Sequence, residues 1–255
     1  MKTAMRAAWM VAGCVGACSV CVAQPDSFHV MQIQQVIGGV NGDTSKQAIQ
    51  LRMRTSFQNL VSQSRIKAWD AAGLNPVLII DMQTDVSNFD EGDTVLVTTT
   101  AFDAATTPAC VADFHMTNPI PVSYMTAGRL TFEDDFGTIY WSLSWGGAGY
   151  TGSNMGALTN CPTGNFGPPF AGPLPSGGVS ALAFQGPFSA PSAGNATDYA
   201  LTTGPAVFTN NARATFTVTS GPPPCYANCD ASTIAPVLNV NDFSCFLNRY
   251  AAGCT

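Results

Sequence analysis

The chain has 255 residues, and its composition argues against several classes of protein. Only 10% of the residues are charged and the formal net charge is −6, whereas about a quarter of an average soluble domain is charged. With few cationic side chains and no basic cluster, little counterion release is available to drive binding to nucleic acid. Nucleic acid and anionic lipid are therefore poor candidate partners, and the neutral polar composition suits an extracellular β protein.

Residues 1–23 have the order of a secretory signal peptide. Lys2 and Arg6 precede an apolar stretch over residues 7–22, which ends at the small residue Ala23. This order predicts export and cleavage after Ala23. Cleavage leaves 8 Lys and Arg against 16 Asp and Glu, and changes the formal net charge from −6 to −8.

Two other interpretations of the N-terminus stay open. An uncleaved anchor is disfavoured because the apolar run is short. A lipid-modified Cys14 is the second alternative, since residues 11–14 loosely resemble a lipobox. No later stretch approaches the roughly 20 apolar residues that cross a bilayer. We therefore expect no transmembrane segment and a secreted or cell-surface location, extracellular or periplasmic.

After the predicted signal peptide, the sequence predicts a series of short strands. Alternating or apolar runs separated by Gly, Pro, Asn and Asp predict strands at 30–37, 48–53, 65–69, 76–80, 94–100, 129–132, 138–145, 181–184, 199–201 and 215–218. Residues 133–137 predict a hairpin turn, and 146–178 predict a long surface loop. About ten strands in one domain over residues 24–220 predict an all-β fold, an antiparallel β-sandwich of jelly-roll or immunoglobulin-like type.

Residues 221–224, Gly-Pro-Pro-Pro, predict a short stiff linker, because proline runs favour extended polyproline II geometry. This linker separates the body from a C-terminal module over residues 225–255.

Six cysteines remain after the signal is removed, and an even number in an exported chain indicates disulfides. They are Cys110, Cys161, Cys225, Cys229, Cys245 and Cys254. Their clustering predicts one body bridge, Cys110 to Cys161. In the tail, antiparallel nesting favours Cys229 to Cys245 and Cys225 to Cys254. A zinc site is disfavoured because His29 and His115 lie far from the tail in sequence, and both histidines are expected to be structural.

The body contains no nucleophile elbow, phosphate-binding loop or zinc-protease motif. One acidic group is a candidate catalytic site, because it could supply the two facing carboxyl groups of a glycosidase. Its members are Glu133, Asp134, Asp135, Asp113 and His115. Three adjacent acids are more simply a solvated hairpin turn. Enzymatic activity is therefore an open alternative, and the non-enzymatic interpretation is favoured.

Two further sets of residues are candidate binding sites. Tyr140, Trp141, Trp145 and Tyr150 could form a platform on which sugar faces stack, although strand alternation directs Trp141 and Trp145 toward the core.

The second set could hold an additional calcium ion around Gly92. Its members are Asp85, Asp90, Glu91 and Asp93. A polar β-turn is the simpler interpretation.

In the tail, oxygen-bearing side chains alternate in the manner of a calcium loop. Loops of the EF-hand kind supply six to eight oxygens from alternating positions, one of them a backbone carbonyl, and end in an acid that opens the exit helix. The expected ligands are Asn228, Asp230, Ser232, the Val237 carbonyl, Asn239 through a water, and Asp242. After the loop, Phe243, Phe246, Leu247 and Tyr250 recur at helical spacing and predict one apolar docking face.

Residues 238–243, Leu-Asn-Val-Asn-Asp-Phe, with the flanking cysteines, resemble a dockerin half module of the cysteine-bearing (GC) type found at the C-termini of bacterial exported proteins. The resemblance implies calcium binding and a protein receptor of the cohesin kind, or self-association. The loop departs from the pattern: it counts 15 residues instead of 12, lacks the usual glycine and occurs once. With two acids, its calcium affinity is expected at roughly 10⁻⁴ to 10⁻³ M. A disulfide-stapled helical hairpin without metal is the alternative.

The body is also faintly similar to lamin-tail-type β-sandwiches, through residues 33–36 and 48–52 and the glycine-rich turn between them. That similarity implies fold class only. Two hypotheses therefore stand for function. The favoured one is an exported, non-enzymatic binding or structural protein tethered through its dockerin-like tail, with carbohydrate as one candidate ligand. The other is an extracellular carbohydrate-active hydrolase anchored by the same tail.

Overall fold

The computed structural model describes residues 28–158, 163–190, 192–219 and 239–251. Within these residues the strands are β1 Met31–Ile37, β2 Ala48–Met53, β3 Ser64–Trp69, β4 Val77–Asp81, β5 Thr94–Thr98, β6 Thr106–Thr107, β7 Phe114–His115, β8 Gly128–Asp134, β9 Ile139–Trp145, β10 Leu182–Phe184, β11 Tyr199–Leu201, β12 Val207–Thr209 and β13 Thr215–Val218. The helices are α1 Thr100–Asp103, α2 Asn195–Asp198 and α3 Val240–Ala251, with 3₁₀ turns at Val61–Gln63, Val122–Tyr124 and Gly147–Gly149.

The described strands form three sheets. A six-stranded sheet has the order β11-β10-β1-β2-β5-β7, a four-stranded sheet the order β4-β3-β8-β9, and a three-stranded sheet the order β12-β13-β6. The pairs are antiparallel apart from β5 with β7, which run parallel. Strands β8 and β9 form the predicted hairpin, with Leu130 opposite Leu143.

The main core lies between the six-stranded and four-stranded sheets. Alternate residues of β2 and β5, such as Ile49 and Val97, face Leu130 of β8 and the two tryptophans of β9, Trp141 and Trp145. This pattern follows from the period of two along a strand, which places every second side chain on the same face. The prediction of an all-β sandwich is confirmed at this level.

A second apolar cluster covers the opposite face of the six-stranded sheet. Ala48 and Leu96 belong to it, together with Phe102 of α1 and Phe208 of β12. Because Leu96 lies between Val95 and Val97 of the main core, β5 is buried on both faces. The protein therefore stacks three sheets, with the six-stranded sheet in the middle.

Glutamine side chains fix the three-stranded sheet against the central one. Gln35 and Gln50 lie opposite each other on β1 and β2, and the Gln35 side-chain amide donates to Gln50 Oε1 at 3.2 Å. Gln35 Nε2 also donates to the Val207 backbone carbonyl at 2.6 Å, and Gln50 Oε1 accepts from the Thr209 backbone N–H at 2.6 Å. Because the buried amides are hydrogen-bonded across the layers, their burial costs little free energy. The same bonds fix the position of the three-stranded sheet against the central sheet.

Most predicted strands occur close to their expected bounds, and the exceptions are short. Strands β6, β7 and β12 have two or three residues and were not predicted. The predicted surface loop over 146–178 forms no strand in its described part, yet Phe166 and Leu174 are buried in the main core. Among the described residues, no helix is long and apolar enough to cross a membrane. The predicted signal peptide and the linker at 221–224 lie outside the described residues.

Candidate functional site

The tail helix α3 begins with a reciprocal cap. The Asn239 side-chain Oδ1 accepts from the Asn241 backbone N–H at 2.7 Å, and the Asp242 Oδ2 accepts from the Asn239 backbone N–H at 2.8 Å. Each side chain thus satisfies a backbone N–H that the helix itself cannot pair, which is the logic of a capping box. Asp242 is only 2% exposed, so its carboxylate is a fixed part of the helix start.

One face of α3 is apolar and open to solvent. Phe243 is 61% exposed, Leu247 46% and Tyr250 66%. Val240, which the sequence analysis did not include, is exposed one turn earlier on the same stripe. Phe246, the fourth predicted docking residue, is half-buried, and its ring stacks with that of Tyr250 at a centroid distance of 6.2 Å. The structure therefore places three of the four predicted docking residues in solvent.

Only part of the predicted calcium loop can be described. Asn228, Asp230, Ser232 and Val237 lie outside the described residues. Of the remaining two expected ligands, Asn239 and Asp242 have the contacts of a helix cap. A buried carboxylate that opens the exit helix fits the last ligand position of an EF-type loop. The same carboxylate also caps α3, a structural role that the spacing of the sequence did not predict.

The cysteines divide into two cases. Cys245 on α3 is disulfide-bonded, and its predicted tail companions Cys225, Cys229 and Cys254 lie outside the described residues. Cys110 is a free, buried thiol, which contradicts the predicted bridge to Cys161. Cys161 itself lies outside the described residues.

The surroundings of Cys110 explain why its thiol has the character of a core residue. Its side chain packs in the second apolar cluster. Burial, reinforced by the charges of Asp103 and Asp113, raises the pKa of the Cys110 thiol to about 12. Such a thiol is inert, because the thiolate is the reactive form.

The acidic hairpin is structural. Glu133 is buried on β8 and forms ion pairs with Arg65 Nε at 2.7 Å and with the Lys67 ammonium, both on the neighbouring β3. Asp134 Oδ1 accepts from two turn N–H groups, Phe136 at 2.9 Å and Thr138 at 2.7 Å.

The pKa of Asp134 reflects these contacts. Burial raises the pKa, but the hydrogen bonds from Thr138, Tyr140 and Phe136 outweigh it, and the net pKa is lowered. Asp134 is therefore held as a carboxylate that shapes the turn.

The other members of the proposed glycosidase site lie elsewhere. His115 Nε2 lies 2.8 Å from Asp103 Oδ2, and Asp113 accepts backbone N–H groups from β5 and from residue 211. These residues belong to the six-stranded sheet and its loops, whereas Glu133 belongs to the four-stranded sheet. The described residues therefore do not bring the predicted pair of catalytic carboxyl groups together.

The predicted aromatic platform is part of the core. Tyr140, Trp141, Trp145 and Tyr150 are all buried. The Trp141 indole N–H donates to the Tyr199 hydroxyl at 2.8 Å, so even its polar atom is satisfied internally. The sugar-platform interpretation of these four residues is wrong, because β9 is covered on both faces.

The acids around Gly92 are neutralised by an arginine. Arg213 Nη2 lies 2.5 Å from Asp90 Oδ2 and its Nε lies 2.7 Å from Asp93 Oδ1. The hydrogen bonds that Arg213 donates to Asp93 and Asp90 raise the pKa of its guanidinium. Asp85 instead accepts from the Ser62 backbone N–H at 2.9 Å. The predicted second calcium site is therefore replaced by a guanidinium, and the described residues contain no group of three or more His, Cys, Asp or Glu placed to hold a metal ion.

Two cavities among the described residues of the body differ in the character of their lining. The larger, about 620 Å³, is lined by apolar and small residues, including Met125, Phe170, Leu174 and Leu201, and by no ionisable side chain. Its walls are tied to the turn after β1, where the Gly38 N–H donates to the residue 175 carbonyl at 2.7 Å.

The smaller cavity, about 290 Å³, is polar. Its lining includes Thr84, Asp85, Ser87, Asn88, Asp113 and Phe114. Burial raises the pKa of Asp113, an effect that the hydrogen bonds from the Leu96 and Asn211 N–H groups offset only in part. A carboxyl group with a perturbed pKa in a polar cavity is a functional-site candidate.

Comparison with known proteins adds no assignment: no family model, no curated protein and no solved structure matches the chain.

Proposed function

We propose that this chain is an exported, non-enzymatic binding protein, whose β-sandwich body is tethered through a calcium-dependent C-terminal module. The observation that carries the proposal is the exposed apolar stripe of α3. Phe243, Leu247 and Tyr250 lie in water on a capped helix, and burying apolar surface of this kind is the main driving force for association. The proposal includes a jelly-roll or immunoglobulin-like type for the sandwich, supported by its mostly antiparallel strands.

The length of α3 favours a preformed receptor over pairing of two tails. The helix has 12 residues, fewer than two heptads, whereas a coiled coil needs three to four heptads of apolar repeat. A short amphipathic helix binds well when it lies in a hydrophobic groove on another protein, with anchors at helical spacing. We therefore propose a receptor of the cohesin kind, with Val240, Phe243, Leu247 and Tyr250 as the anchors.

Calcium would act by ordering the loop that leads into α3. The residues proposed to hold it are those expected from the sequence, with Asp242 as the last ligand. Its burial at the helix start supports that role. When bound, the ion would neutralise the loop carboxylates. Secretion or attachment at the cell surface belongs to the same proposal and rests on the signal-like residues 1–23.

The capping contacts of Asp242 determine how the calcium proposal must be tested. Asp242→Ala would weaken α3 with or without the ion, because it removes a cap. Asp230→Ala removes a proposed ligand outside the helix. We expect calcium to protect the tail of the wild type from proteolysis, Asp230→Ala to abolish that protection, and Asp242→Ala to lower protection in both conditions. Asp135→Ala, an exposed acid of the body, is the matched control. Equal protection of the wild type with and without calcium would reject the metal loop and leave the disulfide-stapled hairpin.

Association state separates a receptor from self-pairing. We expect sedimentation velocity of the full chain with calcium to show a monomer, and a purified cohesin-type domain to bind the wild type but not Leu247→Asp. A calcium-dependent dimer that Leu247→Asp disperses would favour self-association instead.

A further inference from the structure

We propose that the 290 Å³ polar cavity beside β7 binds a sugar residue of a neutral polysaccharide, with the stacked rings of Phe57 and Phe89 as the adjoining apolar platform. This inference rests on the proposed binding function and deepens it by naming the ligand class of the body.

Two carboxylates line the cavity, and in each of them one oxygen accepts backbone hydrogen bonds while the other is available to a ligand. Asp113 Oδ2 accepts two backbone N–H groups, from Leu96 at 2.7 Å and from Asn211 at 2.8 Å. Asp85 Oδ1 accepts from the Ser62 N–H. Within the described part of the chain, the second oxygen of each carboxylate has no hydrogen-bond partner and no cation. Two fixed acceptors therefore line one small cavity, which is an arrangement suited to neighbouring hydroxyl groups.

The wall between these acids is rigid before any ligand arrives. The Asn88 N–H donates to the Asn211 side-chain oxygen at 2.8 Å, and the Asn88 amide donates to the Asn211 carbonyl at 2.6 Å. The Asn211 amide returns hydrogen bonds to the Asn88 carbonyl at 3.0 Å and to the Thr94 carbonyl at 3.1 Å. Side chains held in this way lose little conformational entropy when a ligand binds. The favourable contacts with the ligand are therefore offset less, and the affinity is higher.

The chemistry of the lining favours a polyol over a metal ion. The hydroxyl groups of Thr84 and Ser87 can donate or accept, and Phe114 adds an apolar wall. A bare calcium ion needs six to eight oxygens at about 2.3 to 2.6 Å, whereas this cavity has roughly ten times the volume of one water, about 30 Å³. Two carboxylates would also attract an ammonium group, and that alternative is an outcome of the test below.

The neighbouring platform is an exposed aromatic pair. Phe89 directly follows the cavity segment 84–88, and its ring lies parallel to that of Phe57, with centroids 5.0 Å apart and planes 12° apart. Phe57 is 64% exposed, and its φ is +65°. A bulky residue in this left-handed region is an outlier, and such strain clusters at functional sites. An exposed aromatic pair that follows the cavity segment in sequence offers the apolar contact that one face of a sugar ring requires, while the cavity offers the polar contacts.

The test uses the full chain and soluble probes. Hexasaccharides of β-1,4-linked glucose, xylose and mannose, and separately spermidine, are titrated calorimetrically into the wild type and into Asp113→Asn, Asp85→Asn and Phe89→Ala. Phe136→Ala is the control, because it deletes an exposed ring on the β8–β9 turn, away from the cavity lining. Asp85 lies on an exposed loop, so Asp85→Asn is expected to fold. This variant keeps the test decisive if Asp113→Asn folds poorly.

We expect at least one hexasaccharide to bind, and each of the three site variants to weaken it about tenfold. For Asp113→Asn and Asp85→Asn this is the loss expected for one charge-assisted hydrogen bond, and for Phe89→Ala it is the loss of one aromatic contact. Phe136→Ala should bind as the wild type does. The proposal is overturned if no hexasaccharide binds, if binding survives in all three variants, or if spermidine alone binds in an Asp113-dependent way. Leu247→Asp should leave sugar binding unchanged, so that a failure of the tail proposal and a failure of this one are told apart.

Discussion

The body and the tail helix differ in the solvent exposure of their aromatic residues. On β9, Trp141 and Trp145 are fully buried and their indole N–H groups are satisfied inside the protein. On α3, Phe243 and Tyr250 are more than half exposed. The body completes its own core, whereas α3 displays apolar surface that its own 12 residues cannot cover. Apolar content alone therefore does not distinguish a core strand from a binding helix. The difference lies in how many other strands and helices pack against the apolar face.

Acidic residues have the same role in both regions. Asp134 in the β8–β9 turn and Asp242 at the start of α3 both accept backbone N–H groups. Asp134 also accepts from the Tyr140 hydroxyl at 3.1 Å. Three predictions test how far the two regions are independent.

The largest effect is expected from Trp141→Ala. Trp141 packs edge-on against Phe166 and Phe184, with centroids at 5.3 and 5.8 Å, and the Arg54 guanidinium lies 5.2 Å from its ring centroid. Removing the indole leaves a cavity and should lower the free energy of unfolding of the body by about 3–5 kcal/mol. Tyr250→Ala, the aromatic deletion on α3, should leave body unfolding in guanidinium chloride unchanged. A shift of the body transition in Tyr250→Ala would show that the two regions are coupled.

Asp134→Asn should have a smaller effect that depends on pH. The pKa of Asp134 is lowered in the folded state, below the value of about 3.9 for an unfolded Asp. Its contribution is therefore present above about pH 4 and is lost as pH falls through the folded pKa. We expect Asp134→Asn to cost about 1–2 kcal/mol at neutral pH and to approach wild-type stability below pH 4. Denaturant unfolding from pH 7 to pH 2 measures this, with Asp135→Asn, an exposed neighbour, as the control. A pH-independent difference would contradict the assigned role.

The smallest effect is expected at the helix cap. Asn239→Ala removes the acceptor for the Asn241 N–H and should lower the local stability of α3 by about 1 kcal/mol. Hydrogen exchange of the α3 amides should accelerate while exchange in the body strands stays as in the wild type. Asn248→Ala, an exposed position later in the helix, should leave the exchange rates near their wild-type values. Unchanged α3 exchange in Asn239→Ala would mean that the cap contributes nothing.

The sequence predicted what alternation and turn residues encode locally. Strands β2 and β9 and the hairpin at Asp134 follow from periods of two interrupted by polar turns. The exposed stripe of α3 follows from helical spacing in the same way. Strands of two or three residues, such as β6, carry too little pattern to be recognised.

What the sequence could not predict depends on pairings between distant residues. Arg213 neutralises Asp90 and Asp93 across 120 or more positions, so the acids looked like a calcium site. The free Cys110 depends on the packing of the second cluster, which no spacing rule reveals. The polar cavity likewise assembles Asp85 and Asp113 from separate segments, and the strained φ of Phe57 leaves no mark in the sequence.

The position of β13 has a mechanical consequence. This strand, Thr215–Val218, is the last one in the described residues of the body, and it lies in the middle of its sheet, with β12 on one side and β6 on the other. If the tail is anchored while the body holds a ligand, tension enters the body at Val218. A central strand can be pulled out only by breaking hydrogen bonds to both neighbours, whereas an edge strand peels away from one. If the tail acts as the proposed tether, it pulls on the strand of the three-stranded sheet that best resists extraction.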